Sequence, residues 1–322
     1  MKKFIINILL FFLIVCVIDI CVGFAGDYLQ DHAKGGETKA LNDLVKKECH
    51  DIVILGSSRA HHHYDTPFLS DTLGMDIYNA GYDGNGVILG YGLLEMIMER
   101  YQPKLIIYDI EPHFDVIVYD GDNHHKRYIK KLKPYYRNEI IGSIIKDVST
   151  EEWYKTHSGC IRYNTVIIPL LIDNIKGRSM TPKGYLPLYG SLVSESSSKK
   201  KKYTQVDYFK LKYFEKLLKL VNDNHIPMVV VASPMLGVES SAALLPAFKL
   251  CYDYQIPVLD YYVDSLFLQH KEWFHDASHL NSIGAREFSK RIVCDIEDHL
   301  KKSVSTVQVE RHNKMDEQYK NI

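Results

Sequence analysis

Two short motifs in this sequence combine residue types that can perform nucleophilic chemistry. The motif GSSR at residues 56–59 contains Ser57 and Ser58, and Asp276 and His279 lie three residues apart near the other end of the chain. A serine hydroxyl becomes a nucleophile when an imidazole accepts its proton and a carboxylate orients that imidazole. In isolation, each motif is more typical of helix caps and a surface histidine. The chemistry therefore requires a fold that brings the two motifs together.

Five apolar runs predict the strands that would position these residues. They lie at 51–55, 75–79, 105–110, 228–232 and 258–260. Segments with helical spacing of apolar residues separate them, notably at 89–101, 208–222 and 285–300. This alternation predicts an α/β fold with a parallel sheet covered on both faces. Ligands bind beyond the carboxyl ends of the strands in such folds, so Ser58 is expected at the ligand-binding edge.

The composition is that of a globular protein and gives no sign of a nucleic-acid partner. Of 322 residues, 46% are hydrophobic, and 39 Lys and Arg balance 40 Asp and Glu. No excess of positive charge is therefore present to neutralise a phosphate backbone. The cysteines outside the N-terminal segment form no C-x-x-C pattern, which argues against a zinc finger and leaves disulfide pairing open.

Three consecutive histidines, His61, His62 and His63, suggest a metal site at first sight. Consecutive residues cannot all face one ion from a helix, where residues on one face are three or four positions apart. We therefore expect no metal and no cofactor. One of the three side chains is expected to line the cleft beside Ser58, and the others to be exposed or to pack locally.

The N-terminus predicts a membrane segment. Lys2 and Lys3 precede an apolar run over 4–22, which is close to the length that a helix needs to cross a bilayer. We expect residues 1–25 to be an uncleaved signal anchor that crosses the cytoplasmic membrane through residues 4–24. A cleaved signal peptide with its site at 23–25 is the alternative. The positive-inside rule places the remaining chain on the extracytoplasmic side.

The domain boundaries follow from these patterns. We predict a spacer at 26–50, one α/β domain at 51–300, and a polar tail at 301–322. The pattern of strands and helices breaks at about 115–205, which indicates an insertion. Its aromatic residues, including Tyr185 and Tyr189, would either stack on sugar rings or cover an edge of the sheet.

Taken together, three motifs resemble the SGNH (GDSL-like) hydrolase superfamily in order and spacing. They are GSSR after the first strand, NAGYDG at 79–84 after the second, and DASHLN at 276–281 before the last helix. The resemblance covers about 51–300 without the insertion. It implies a flavodoxin-like three-layer α/β/α fold and serine-dependent ester hydrolysis or acyl transfer. It further implies that Ser58 is the nucleophile, Asp276 the acid and His279 the base, with the N–H groups of Ser58 and Gly84 as oxyanion donors.

One motif departs from the superfamily pattern. A G-x-N-D motif usually follows the third strand, whereas residues 108–114 read YDIEPHF here. His113 occupies the place of the Asn and would be a third oxyanion donor, or else a structural histidine. Arg59 would bind a substrate carboxylate or phosphate, or form a structural ion pair.

The GSSR motif together with an N-terminal anchor looks like the envelope branches of the superfamily, which act beside a membrane-bound O-acyltransferase. We therefore expect a membrane-anchored serine acyl esterase or O-acyltransferase acting on an acylated cell-envelope carbohydrate. A catalytically inactive, anchored binding module is the alternative.

Overall fold

The computed structural model describes residues 1–118, 125–164, 166–177, 182–192 and 205–300. Within them the chain divides into two compact units. One contains the described residues of 1–48, 92–100 and 120–180, and the other those of 49–91, 101–119 and 181–300. The predicted tail at 301–322 lies outside the described residues.

The second unit is built on a five-stranded parallel sheet. Its strands are β1 (Ile52–Gly56), β2 (Ile77–Gly81), β3 (Leu105–Asp109), β4 (Met228–Ala232) and β5 (Val258–Asp260). Their spatial order is β2-β1-β3-β4-β5, and every pair is parallel. This is the strand order of flavodoxin-like doubly wound folds. The predicted fold class is therefore confirmed.

Helices occupy much of the remaining described chain. They are α1 (Lys2–Asp31), α2 (Gly36–Lys46), α3 (Ser58–His63), α4 (Thr66–Leu73), α5 (Val87–Met98), α6 (Pro112–Asp115), α7 (Glu139–Val148), α8 (Thr150–Thr156), α9 (Gly159–Tyr163), α10 (Ile167–Lys176), α11 (Tyr208–Asp223), α12 (Leu245–Asp253), α13 (Ser265–Gln269) and α14 (282–300). The predicted insertion at 115–205 thus contains helices α7 to α10, and α6 ends at its first residue.

Both faces of the sheet are covered within the second unit. On one face, Ile54 and Ile107 pack in a buried cluster with Phe288 and Ile292 of α14. On the other, the Tyr108 ring lies 5.7 Å from that of Phe214 on α11. Alternate residues of each strand point to opposite faces, so strands buried on both sides must be apolar throughout. This requirement explains why the strands appear in the sequence as continuous apolar runs.

The first unit contains the N-terminal apolar helix. Among the described residues, α1 is the one helix that is long and apolar enough to cross a membrane, with a mean hydropathy of 3.0 over 18 residues. None of that stretch is buried. The helix fits either a signal anchor or a signal peptide.

Candidate active site

Ser58 lies where β1 turns sharply into α3. Gly56 has a φ of 145°, a conformation that side chains rarely adopt, and a Cβ there would lie 2.5 Å from the carbonyl oxygen of Asp109. Ser57 caps α3, because its hydroxyl accepts a hydrogen bond from the N–H of Arg59 at 3.3 Å. Ser58 is consequently the first residue of the helix. Its N–H belongs to the first turn, where N–H groups have no partner within the helix and can face an anion.

The hydroxyl of Ser58 lies next to the imidazole of His279. Ser58 Oγ and His279 Nε2 are 2.8 Å apart, although 221 positions separate the two residues in the sequence. His279 Nδ1 lies 2.9 Å from Asp276 Oδ2. Since a carboxylate only accepts hydrogen bonds, Nδ1 carries the proton and Nε2 is left to accept the proton of Ser58. Serine, histidine and aspartate thus form a continuous hydrogen-bonded chain.

The Asp276 carboxylate is held by its own loop. Besides His279 Nδ1, Oδ1 accepts the N–H groups of Ser278 at 2.7 Å and of His279 at 2.9 Å. Partial burial acts to raise the pKa of Asp276, but the hydrogen bond and charge of His279, with these two N–H groups, lower it below its usual value. Asp276 is therefore ionised and can stabilise an imidazolium at His279.

His63 connects α3 to the loop that carries His279. Its Nε2 accepts the N–H of Leu280 at 3.0 Å, so the proton of the neutral ring is on Nδ1, which lies 2.8 Å from Ser233 Oγ. The side chain is fully buried. Burial and the neighbouring Arg59 cation lower the pKa of His63 well below its usual range. His63 is thus a neutral bridge between the two halves of the candidate site.

Gly84 lies in a turn that is attached to both β1 and α3. The N–H of Tyr82 donates to Gly56 O at 3.2 Å, and that of Asn85 donates to Tyr82 O at 3.1 Å. Gly84 has a φ of 65°, which favours glycine. Asp83 accepts hydrogen bonds from α3, with His61 Nδ1 at 2.9 Å from its Oδ1. The assignment of the Gly84 N–H as an oxyanion donor stays a prediction.

His62 has an acceptor at each ring nitrogen. Nδ1 lies 2.7 Å from the Leu186 carbonyl oxygen, and Nε2 lies 3.2 Å from Asp83 Oδ1. Neither partner can donate, so this pair of contacts favours the form of the ring in which both nitrogens carry protons. Burial opposes the charged form, but the hydrogen bonds to Asp83 and Leu186 outweigh it and raise the pKa of His62. The His62 ring lies close to the catalytic candidates, with its centroid 5.5 Å from that of His279.

The histidine run lies inside the protein. All three imidazoles are buried, so of the two expected arrangements, exposure or local packing, the structure favours local packing. The side chains of His61 and His62 both approach Asp83. One potential ligand atom from each of these three residues lies within 4.8 Å of those of the other two. These three residues could hold a metal ion only if the ring nitrogens that face Asp83 carried no proton. The hydrogen bonds of His62 compete directly with such binding.

Arg59 is 1% exposed and points into the protein core. Its guanidinium donates to the carbonyl oxygen and hydroxyl of Ser233, and Nε lies 3.9 Å from Asp109 Oδ1. The Tyr64 hydroxyl also donates to the Asp109 carboxylate, at 2.6 Å. Burial nevertheless raises the pKa of Asp109, because it outweighs the opposing effects of Arg59 and Tyr64. Of the two expected roles for Arg59, this geometry favours the structural ion pair over substrate binding.

The ring of His113 lies against Glu111. Nδ1 is 2.9 Å from Glu111 Oε1, which orients the imidazole at the start of α6. With Nδ1–H on this carboxylate, Nε2 is an acceptor in the neutral ring and a donor only in the imidazolium. A role of His113 as an oxyanion donor therefore stays a prediction and requires the charged ring.

Three residues of this site have connecting roles that the sequence patterns did not assign. His63 joins α3 to the His279 loop, Asp83 joins α3 to the Gly84 turn, and Ser233 joins α3 to the end of β4. A signal was available for two of them. Ser233 directly follows β4 at the carboxyl edge of the sheet, and Asp83 lies within the NAGYDG motif. Nothing local distinguishes His63 from His61, because its partner Leu280 is 217 positions away.

The fold and the site together define an α/β protein with a serine, a histidine and an aspartate joined at the carboxyl edge of a parallel sheet. No protein-family model matches the chain, and no curated protein matches its sequence.

Solved structures similar to the chain include lipolytic proteins of the GDSL type. One is a protein assigned to the G-D-S-L lipolytic family from Desulfitobacterium hafniense, with a TM-score of 0.38 and 11% identity over 76% of this chain and 98% of that one. Another is a GDSL-like lipase from Bacteroides thetaiotaomicron, with a TM-score of 0.37 and 10% identity over 78% and 88%. A protein from Streptococcus pneumoniae described as a platelet activating factor has a TM-score of 0.38 and 14% identity over 87% and 98%. These likenesses are weak, and the fold class rests on the strand order of the sheet.

Proposed function

We propose that this protein is a membrane-anchored serine acyl esterase or O-acyltransferase that acts on an acylated carbohydrate of the cell envelope. The observation that carries the proposal is the hydrogen-bonded chain from Ser58 Oγ through His279 to Asp276, with distances of 2.8 and 2.9 Å. Side chains from opposite ends of the sequence meet in the geometry that activates a serine nucleophile.

In the proposed mechanism, Ser58 Oγ attacks the acyl carbonyl while its proton moves to His279 Nε2. Asp276 stabilises the resulting imidazolium. The N–H groups of Ser58 and Gly84 donate to the oxyanion of the tetrahedral intermediate. The imidazolium then protonates the leaving sugar oxygen as the acyl-enzyme forms. Water or another sugar hydroxyl attacks the acyl-enzyme while its proton moves to His279. The bond between the acyl carbon and Ser58 Oγ then breaks, and the imidazolium returns the proton to Ser58 Oγ.

A surface pocket near the His279 loop supports a carbohydrate substrate. Its walls combine aromatic and charged side chains, as sugar-binding surfaces require, and come from Asp65, Pro67, Tyr185, Pro187, Tyr189, Ser282, Ile283, Arg286 and Glu287. Tyr189 is 73% exposed, and its carbonyl oxygen lies 2.9 Å from Nδ1 of His275 in that loop. The hydroxyl of buried Tyr185, in the wall of this pocket, has no hydrogen-bond partner among the described residues.

The membrane part of the proposal rests on α1. An apolar helix preceded by lysines inserts with its N-terminus in the cytoplasm, which places the α/β unit on the extracytoplasmic side. A membrane-bound O-acyltransferase that supplies the acyl group is the partner that this arrangement would suit. The N–H groups of Ser58 and Gly84 would stabilise the oxyanion in the same way whether the acyl group passes to water or to a sugar hydroxyl.

Labelling with a fluorophosphonate tests the nucleophile. We expect the full-length chain in detergent to be labelled, Ser58→Ala to abolish labelling, and Ser57→Ala to retain most of it. Ser57→Ala is the matched control because it removes a neighbouring hydroxyl that only caps α3, at a cost of about 0.5–2 kcal/mol in stability. A parent protein that folds and is not labelled would instead indicate the inactive binding module.

A further inference from the structure

Helix α10 exposes the apolar side of an amphipathic pattern. Ile168, Leu171, Ile172 and Ile175 follow one another at the spacing of a single helix face. Their exposed fractions are 66, 40, 38 and 80%. Val166, at the start of α10, is 42% exposed. We call these five residues the α10 apolar face.

The opposite face of α10 makes the contacts inside its unit. Leu170 and Asp173 on that face are buried. The Asn174 amide donates to the carbonyl oxygen of Leu29, at the end of α1, at 3.0 Å. Helix α10 thus packs on its unit through a face that contains Asp and Asn, and it exposes four aliphatic side chains. This arrangement suits an apolar environment.

Helix α9, which precedes α10, is docked directly on α1. The Asp19 carboxylate accepts the hydroxyl of Ser158 at 2.6 Å and the N–H groups of Gly159 and Cys160 at 3.1 and 2.9 Å. The Asp19 carboxylate therefore caps the start of α9. These bonds fix the start of α9 to one position along α1.

Glycines make this contact close. A Cβ on Gly159 would lie 2.3 Å from the N atom of Gly23, and a Cβ on Gly26 would lie 2.2 Å from the Tyr163 ring. Asp27 follows on α1 and pairs with Arg162 at 3.0 Å. Residues 19–27 of α1 thus hold the whole of α9.

The position of this contact along α1 gives the depth of α9 and α10. The apolar run at 4–22 spans roughly 28 Å as a helix, which matches the hydrocarbon thickness of a bilayer. Residues 19–27 therefore lie at the outer boundary of the hydrocarbon, and Leu29 lies just beyond it. An amphipathic helix at this level can bury its apolar face at the boundary of headgroups and acyl chains.

We infer that the α10 apolar face lies in the outer surface of the lipid bilayer beside α1. This inference rests on the proposal that α1 remains in the membrane. A bilayer is the occupant because the exposed apolar surface of α1 is attached to the same unit, and one lipid surface covers both. The chain would then be held by a spanning helix and by an interfacial helix, which together restrict its rotation relative to the membrane.

Tryptophan quenching by brominated lipid tests the inference on the full-length chain. The variants Ile168→Trp and Ile175→Trp are each reconstituted into vesicles of phosphatidylcholine and of the same lipid brominated on its acyl chains. The parent contains two Trp. Its fluorescence is therefore subtracted from that of each variant, and the difference is compared between the two lipids. Both positions are more than half exposed, so the larger side chain can be accommodated.

Two reference variants make the result decisive. Ile14→Trp, in the middle of the apolar run, reports whether α1 is in the membrane, and Tyr252→Trp, 83% exposed on α12, provides the aqueous reference. We expect the added fluorescence of Ile168→Trp and Ile175→Trp to shift to the blue and to be quenched as for Ile14→Trp, with Tyr252→Trp unaffected.

Each other outcome has a defined meaning. Quenching of Ile14→Trp without quenching at 168 and 175 would overturn the interfacial helix and leave the anchor intact. Emission at 168 and 175 that shifts with protein concentration and not with lipid would assign the face to a second copy, which also overturns the inference. Absence of quenching at all three positions would remove the anchor and this inference together. Fluorophosphonate labelling of the same samples tests the catalytic proposal separately.

Discussion

His63 accepts a hydrogen bond from the N–H of Leu280, and both residues are fully buried. Through this bond, the helix that begins with Ser58 and the loop that presents His279 are held at a fixed separation. The distance between the candidate nucleophile and its base therefore depends on an imidazole that takes no part in proton transfer.

Replacement of His63 by Ala should separate these two elements. It leaves the N–H of Leu280 without its acceptor, and an unsatisfied buried group costs about 1–3 kcal/mol. We expect a lower free energy of unfolding and a lower kcat for ester hydrolysis, with KM nearly unchanged. His63→Gln, which provides both an acceptor and a donor, should recover part of both. The exposed His225→Asn is the control, and equal kcat in all four proteins would contradict the positioning role.

Asp115 should make the stability of the chain depend on pH. This fully buried carboxyl accepts the N–H of Val87 at 2.8 Å, the hydroxyl of Tyr108 at 2.7 Å and the N–H of Glu111 at 2.7 Å. Burial outweighs these bonds and raises the pKa of Asp115 to about 7. Between its unfolded value of about 3.9 and this pKa the folded state binds the proton more tightly, so stability falls as pH rises.

Denaturant unfolding of Asp115→Asn tests this sign. The Asn side chain does not titrate, but its NH₂ group cannot accept the backbone N–H that one Asp115 oxygen accepts. We therefore expect the variant to be less stable than the parent at pH 5. That deficit should shrink by pH 8, because only the parent loses stability over this interval. A difference in unfolding free energy that is constant from pH 5 to pH 8 would show that Asp115 does not titrate there.

The sequence was sufficient for elements whose boundaries are set locally. Strands β4 and β5 occupy the predicted 228–232 and 258–260, because each run follows a proline and ends at a polar residue or a turn. Strand β2 begins at Ile77, two residues later than predicted. Met75 instead closes the end of α4, where its N–H donates to Ser70 O at 3.3 Å. An apolar residue used in a helix-end turn looks like a strand residue in the sequence.

The connections within the candidate site could not be read from the sequence in the same way. Ser58, Asp276 and His279 were predicted because each belongs to a motif with a recognisable order. The buried environment of Arg59 depends on Ser233, 174 positions away, and on Asp109. Such contacts form only when the strands assemble into the sheet. The spacing of neighbouring residues in the sequence therefore does not predict them.

Replacement of Asp83 by Asn should lower the pKa of His62. The carboxylate is the acceptor that stabilises the proton on His62 Nε2, and the hydrogen bonds from His61 and His62 lower the pKa of Asp83 in return despite its partial burial. We expect ¹⁵N titrations of histidine-labelled protein to report a His62 pKa above the usual histidine value in the parent and a lower one in Asp83→Asn. The exposed Asp71→Asn should leave the His62 signals unchanged. Identical titrations in all three proteins would remove Asp83 as the stabilising partner.

Substitutions at His113 test the third oxyanion donor. Loss of such a donor typically reduces kcat by about 10²–10³. Binding should change little, because these hydrogen bonds strengthen in the transition state. We expect His113→Asn to retain more activity than His113→Ala, since the amide restores an N–H donor. If His113→Ala turns over at the parent rate while Ser58→Ala is inactive, the oxyanion is held by the backbone donors alone.

The cap that Asp19 places on α9 also constrains how the chain can mature. A signal peptidase cutting after Ala25 would remove Asp19 and Gly23 in one step. It would leave the Ser158 hydroxyl and two N–H groups of α9 without their acceptor and open the face against which Gly159 packs. Cleavage at this site would therefore remove the contacts that hold the 158–163 segment. In the uncleaved chain, α1 both has the length to cross a membrane and forms the surface on which α9 packs.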